Sequence, residues 1–124
     1  MIGEIHDIRV PFFDRATKSI KFKLRPGLII AQADPDDYVV LPVSKVSIRK
    51  NVDPNYDIPV DPAQYPNIGI TIFSYVRTHK QTIVHVAEIG KCRGDIKSNQ
   101  EELYLLILEK REAFSREITN QALL

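Results

Sequence analysis

Apolar and polar positions alternate in short runs over the first two-thirds of the chain, and turn-forming residues bound each run, which is the pattern of β-strands. The first predicted strand is Glu4–Phe13, where Ile5, Ile8, Val10 and Phe12 are apolar. The second, Leu24–Ala33, is built around Leu28-Ile29-Ile30 and ends at the turn Asp34-Pro35-Asp36-Asp37. A third follows at once as Tyr38–Val43, with Pro42 marking an edge or a bulge. Residues 51–67 carry four prolines and no helical period, so they read as a looped excursion around one short strand near Tyr56–Asp61. Two further strands are expected at about Gly69–Arg77 and Thr82–Ile89, joined by Thr78-His79-Lys80-Gln81.

The period then changes. Ser98-Asn99-Gln100-Glu101 matches a capping box, and a helix from about Asn99 to Ile118 places Leu103, Leu106, Ile107, Phe114 and Ile118 on one face. Its first half, LYLLIL over residues 103–108, is apolar nearly all round. That exceeds what one contact surface needs and implies contact with both the chain's own core and a second subunit, or else deep burial within a monomer. Short strands, tight turns and a closing helix indicate a mainly β fold of the small, strongly bent barrel class. The spacing leaves no room for βαβ crossovers.

The sequence has 124 residues and reads as a single domain over 1–124, with 44% hydrophobic and 27% charged residues. No stretch approaches the ~20 apolar residues of a membrane span, and the first residues lack an apolar core of signal-peptide length. The lone Cys92 excludes an internal disulfide, and the expectation is a cytoplasmic protein. One cysteine and three scattered histidines offer no zinc-binding pattern, so neither metal nor cofactor is expected. The formal net charge of +1 conceals a segregated distribution. Arg15, Lys18, Lys21, Lys23 and Arg25 fall within residues 15–25 with no acid among them, and Lys45, Arg49 and Lys50 follow. Such a block attracts polyanions, and it equally suits a solvated loop or a protected sheet edge.

Gly3-Glu4-Ile5, Arg25-Pro26-Gly27-Leu28-Ile29-Ile30, Leu41-Pro42-Val43-Ser44, Val76-Arg77-Thr78 and Ile89-Gly90 form an ordered set that resembles the MazF/PemK family of toxins. Gly3-Glu4-Ile5 resembles the family's first strand, and Arg25-Pro26-Gly27-Leu28-Ile29-Ile30 its R-P-x-L-[VI]-[VI] signature. Leu41-Pro42-Val43-Ser44 resembles the following strand that ends in Ser or Thr. Val76-Arg77-Thr78 and Ile89-Gly90 resemble the elements that precede its C-terminal helix. The resemblance runs over roughly residues 3–118. It implies an SH3-like barrel of the MazF/CcdB type, a homodimer, and the toxin half of a toxin–antitoxin pair. It further implies metal-independent, sequence-selective cleavage of single-stranded mRNA, arrest of translation and growth, and neutralisation by a cognate antitoxin protein.

RNA can be cut without metal when its own 2′-hydroxyl attacks the adjacent phosphorus, if the protein orients the phosphate, stabilises its oxygens and moves protons. A guanidinium suits the second task because its planar fork spans two phosphate oxygens. Arg25 fills the signature position for that role, with a surface ion pair as the plain alternative. Ser44 occupies the second active-site position that the resemblance implies, where a hydroxyl can bond the phosphate, and it could equally close a turn. Some PemK-like members add a histidine in the first loop and an Arg-x-Asp on a later strand. Here that loop has no histidine and the strand reads Ile72-Phe73-Ser74, which leaves His79 as the nearby imidazole for proton transfer. Lys18, Lys21, Lys23, Lys45, Arg49, Arg77 and Thr78 are the expected backbone contacts, and Phe22 is either a base-stacking platform or a core residue. Two non-catalytic alternatives share the fold: a CcdB-like gyrase poison and an SH3-like RNA-binding module.

Overall fold

The computed structural model describes residues 1–124 and contains seven strands and a long C-terminal helix. Strands β1 (Glu4–Asp14), β2 (Ser19–Asp34) and β3 (Asp37–Ser44) form an antiparallel meander. Strands β4 (Asp57–Val60), β5 (Ser74–Arg77), β6 (Thr82–His85) and β7 (Ile89–Asp95) complete the sheet. A helical turn α1 (Ile96–Asn99) leads into helix α2 (Glu101–Ala122). The strand order is β4-β5-β3-β2-β1-β7, with β6 also paired to β3. One edge of β3 therefore serves two partners: Asp37–Val40 pair with β6, and Val43 and Ser44 pair with β5. The changeover falls at Leu41-Pro42, where proline offers no amide to the ladder. The sheet curls into an open half-barrel, and no helix is long and apolar enough to cross a membrane.

Side-chain alternation gives this sheet two buried faces. On one, Ile5, Leu28, Leu41, Val43 and Val76 pack with Ile68, Ile96 and the helix residues Leu103, Tyr104 and Ile107. On the other, a smaller cluster of Ile8, Ile29, Val40 and Val84 packs with no helix over it. Gly27 lies on this second face, where an added Cβ would stand 2.6 Å from a Val40 methyl and 2.8 Å from Ile8. The absence of a side chain at Gly27 lets these two residues close over β2.

Several boundaries depart from the sequence expectations, each for a local reason. Strand β2 begins at Ser19, five residues earlier than expected, so the basic stretch is a strand and only residues 15–18 turn. Asp14 closes that turn by accepting from the Ala16 amide, the Thr17 hydroxyl and Lys21, and these bonds hold its carboxyl below the usual carboxylate range, the Lys21 bond most of all. Lys18 takes the left-handed conformation at the tip (φ 52°). The strand expected over Gly69–Arg77 keeps only Ser74–Arg77. Asn67 (φ 66°) and Gly69 (φ 81°) turn the preceding backbone out of extended geometry and lay it across β7.

The run Thr82–Ile89 breaks after His85 into a 3₁₀ turn, and β7 follows from Ile89 through a sequence, IGKCRGD, that lacks the expected alternation. The long helix begins at Glu101, and Ser98 does not cap it. Instead Asp95 accepts from the Ser98 amide and hydroxyl, capping α1, and these bonds lower its pKa. Leu106 and Ile118, expected on the buried helix face, are exposed, whereas Tyr104 is buried.

Candidate active site

The helix-free face of the sheet carries a groove of about 250 Å³. Ile8, Val10, Gly27, Val40 and Val84 are among its lining residues, so the floor is apolar. Arg25 lies on its lining, opposite Ile8 in the β1–β2 ladder. It is exposed, and no carboxylate or carbonyl of the protein engages its guanidinium. An unpaired cation beside a concave apolar surface is free to take an anionic ligand.

Ser44 reaches the same end of the sheet by a different route. The β2–β3 ladder stops at Gly27–Pro42, two residues short of Ser44, which by alternation shares Pro42's face of β3. There β3 leaves β2 for β5, with Ser44 opposite Tyr75, and the hydroxyl does not line the groove.

The groove also carries titratable side chains that the sequence reading did not single out. His85 and Glu88 line it, together with Arg9 and Thr82. His85 Nδ1 accepts from the Ala87 amide at 3.0 Å, so the neutral ring carries its proton on Nε2 as a donor. Glu88 lies 3.5 Å from the Arg9 guanidinium. No spacing pattern marks these residues, because a 3₁₀ turn at 86–88 follows directly on β6.

His79 belongs to another place. It packs between the rings of Tyr56 and Phe114, with its Nδ1 3.7 Å from Asp57, and lines a separate hollow against helix α2. Tyr56 in turn donates to Glu117 of the helix, a bond that raises the tyrosine's pKa. Arg77 and Thr78 are structural in the same region. Arg77 binds the buried Asp57 at 3.1 Å and the Asn51 carbonyl, and removing either charged partner would leave the other uncompensated. Thr78 is only 1% exposed and donates to the Tyr56 carbonyl, which closes it to any nucleic acid.

The lysines divide in the same way. Residues paired across β1 and β2 share a face, so Lys21, Lys23 and Arg25 form one row, with Val10 and Phe12 beside them. Lys23 sits 4.9 Å over the Phe12 ring and Lys21 pairs with Asp14 at 2.9 Å. The opposite face of this projecting ribbon carries Pro11, Phe13, Ile20, Phe22 and Leu24, all exposed. Phe22 is thus no core residue, and the Arg9 guanidinium stacks 3.6 Å from its ring centre. Lys18 marks the turn tip, Lys45 lines a second hollow beside Pro26 and Arg93, and Arg49 lies exposed in a 3₁₀ turn.

One cluster outside the groove escapes any reading by sequence spacing. Glu4, His6 and Cys92 bring one ligand atom each to within 4.8 Å of one another. The hydrogen bond from His6 holds the Glu4 carboxyl below its ordinary pKa.

No family model matches the sequence, and no curated protein matches it in sequence. In three dimensions the chain is similar to the Mycobacterium tuberculosis toxin MazF-mt6, at 20% identity and a TM-score of 0.61. The match covers 91% of this chain and 96% of that one. The half-barrel with its C-terminal helix is therefore the fold of a MazF toxin.

Proposed function

We propose that the chain is the toxin of a toxin–antitoxin pair and acts as an endoribonuclease on single-stranded RNA. The observation that carries this reading is Arg25: a signature-position guanidinium, exposed, unpaired and set on a groove. In this reading the scissile phosphate docks on Arg25, whose fork neutralises charge on the non-bridging oxygens as the 2′-oxygen attacks phosphorus. The P–O5′ bond breaks, giving a 2′,3′-cyclic phosphate and a free 5′-hydroxyl. The 2′-hydroxyl proton passes to a base and another proton reaches O5′. Glu88 and His85 are the groove's candidates for these transfers, in place of His79, and Ser44 orients the phosphate from the neighbouring strand. Lys21 and Lys23 extend the cationic row along the RNA backbone.

A two-metal nuclease gathers several carboxylates around one pocket, whereas this groove presents Glu88 alone, already beside Arg9. The reaction then needs the substrate's own 2′-hydroxyl. Cleavage of a long RNA is expected to continue in excess EDTA and to stop on a substrate carrying 2′-deoxy at the scissile nucleotide. Cleavage that survives the deoxy substitution overturns this mechanism. Binding of RNA without any cleavage would favour the plain RNA-binding module, and inhibition of gyrase with no effect on RNA would favour the CcdB-like alternative.

The same reading makes the active form a homodimer, sequence-selective in cleavage and neutralised by an antitoxin. Leu105 and Leu106 support a second subunit, since the apolar first half of α2 buries Leu103, Tyr104 and Ile107 and leaves these two outside. Light scattering at micromolar concentration is expected to give twice the 14.2 kDa chain mass. A monomer mass throughout that range would remove the dimer.

A further inference from the structure

The cluster at Glu4, His6 and Cys92 has the makings of a metal site, and its geometry follows from strand pairing. Glu4 and His6 stand two residues apart on β1, so both point to one face. His6 is paired directly with Cys92 of β7, and the ladder shifts register on both sides of His6. Irregularities of this kind re-aim side chains, and here three donors from two strands meet on one surface.

His6 is the informative member. Its ring is buried, and both nitrogens face acceptors: Nδ1 donates to the Gly90 carbonyl at 3.0 Å, and Nε2 stands 2.9 Å from Glu4 Oε1. With Nδ1 bonded to a carbonyl, Nε2 is the ring nitrogen that faces the Glu4 carboxylate. A divalent cation in place of the Nε2 proton would bridge the same two atoms. The Nδ1–carbonyl bond is also the arrangement that orients metal-bound histidines and fixes their tautomer. Cys92 is exposed and makes only a long 3.8 Å contact to the Gly94 carbonyl, so its thiol can turn inward without losing a strong partner.

We infer that Glu4, His6 and Cys92 bind a single Zn²⁺-class divalent ion that clamps β7 to β1. One imidazole, one thiolate and one carboxylate suit that borderline ion, with water in the fourth position. Tetrahedral bonds of about 2.0–2.3 Å set donors roughly 3.3–3.8 Å apart. The present separations, 2.9 Å for the closest pair and 4.8 Å at most, bracket that range. None of the three residues lines the Arg25 groove, so the ion is structural and stands apart from RNA cleavage.

The full chain, kept reduced, is titrated with Co²⁺ as a coloured stand-in and then with Zn²⁺. One Co²⁺ per chain is expected, with intense visible bands of a tetrahedral site and a near-ultraviolet thiolate-to-cobalt band that Zn²⁺ abolishes. Cys92→Ser changes an exposed residue and should fold normally by circular dichroism. It is expected to lose the near-ultraviolet band and to weaken Zn²⁺ about tenfold or more. Zn²⁺ should also raise the melting temperature of the wild type and not that of Cys92→Ser. Absence of the thiolate band, or equal Zn²⁺ affinity in both proteins, overturns the site. Either result leaves the cleavage reading untouched, because that reading is tested on the RNA.

Discussion

Replacing Arg25 by alanine is expected to slow RNA cleavage by about 10²–10³-fold while leaving the fold intact, the loss typical of deleting one fixed donor to transition-state charge. The side chain is exposed and bound to nothing in the protein, so its removal opens no cavity and orphans no partner. That separates it from Arg77, whose guanidinium neutralises a buried carboxylate and is needed for stability. Arg25→Lys should recover little, because an ammonium is a point charge without the two-oxygen fork. The measurement is single-turnover cleavage of a labelled RNA, with thermal melts of each variant beside it. An alanine variant that melts normally and cuts at the wild-type rate would take Arg25 out of the mechanism.

The largest expected effect on stability comes from a glycine remote from the groove. Gly94 of β7 lies beneath the crossing segment, and a Cβ there would stand 2.4 Å from the Ile68 carbonyl carbon and 2.9 Å from the Gly69 amide nitrogen. Both obstacles are backbone and cannot rotate away. Gly69 meets β7 from the other side, at φ 81° and with the Arg93 carbonyl 2.3 Å from its own virtual Cβ. Two glycines thus let two backbones touch, and the contact seats Ile68 in the helix-side core. Gly94→Ala is expected to cost about 3 kcal/mol, the upper range for overpacking, and to lower the melting temperature by roughly 10 °C. Gly90→Ala on the same strand is the control. Its Cβ would meet only Asp7, at 3.3 Å and beyond, and should shift the melt far less. Equal melts for the two variants would contradict so close a crossing.

Some of this was open to reading along the chain. Short apolar-rich runs bounded by turn residues marked the regions of β1, the Leu28–Ile30 run and β3. The change to a helical period placed α2, and the ordered segments around Arg25 and Ser44 named those two residues as candidates. The expectation of a mainly β fold closed by a C-terminal helix rested on such local signals, and the observed architecture agrees with it.

What the chain withheld depends on contacts between distant segments. Strand β7, with two glycines and three charged residues among seven, has little apolar pattern of its own and is a strand because β1 pairs with it. The run 68–73 reads as a strand, yet Gly69 at positive φ carries it over Gly94. Ser98 has the form of a cap, but Asp95 at the end of β7 stands closer to the free amides and takes that place. His79 sits next to Arg77 and Thr78 in sequence, and pairing of β5 with β4 turns all three toward Asp57 and Tyr56, away from the groove. His85 and Glu88 enter the groove because β6 lies along the other half of β3. Local patterns determined the main elements. Which titratable side chains stand near Arg25, and which histidine meets a cysteine 86 residues away, was decided by strand pairing, since hydrogen bonds between strands join positions regardless of their separation along the chain.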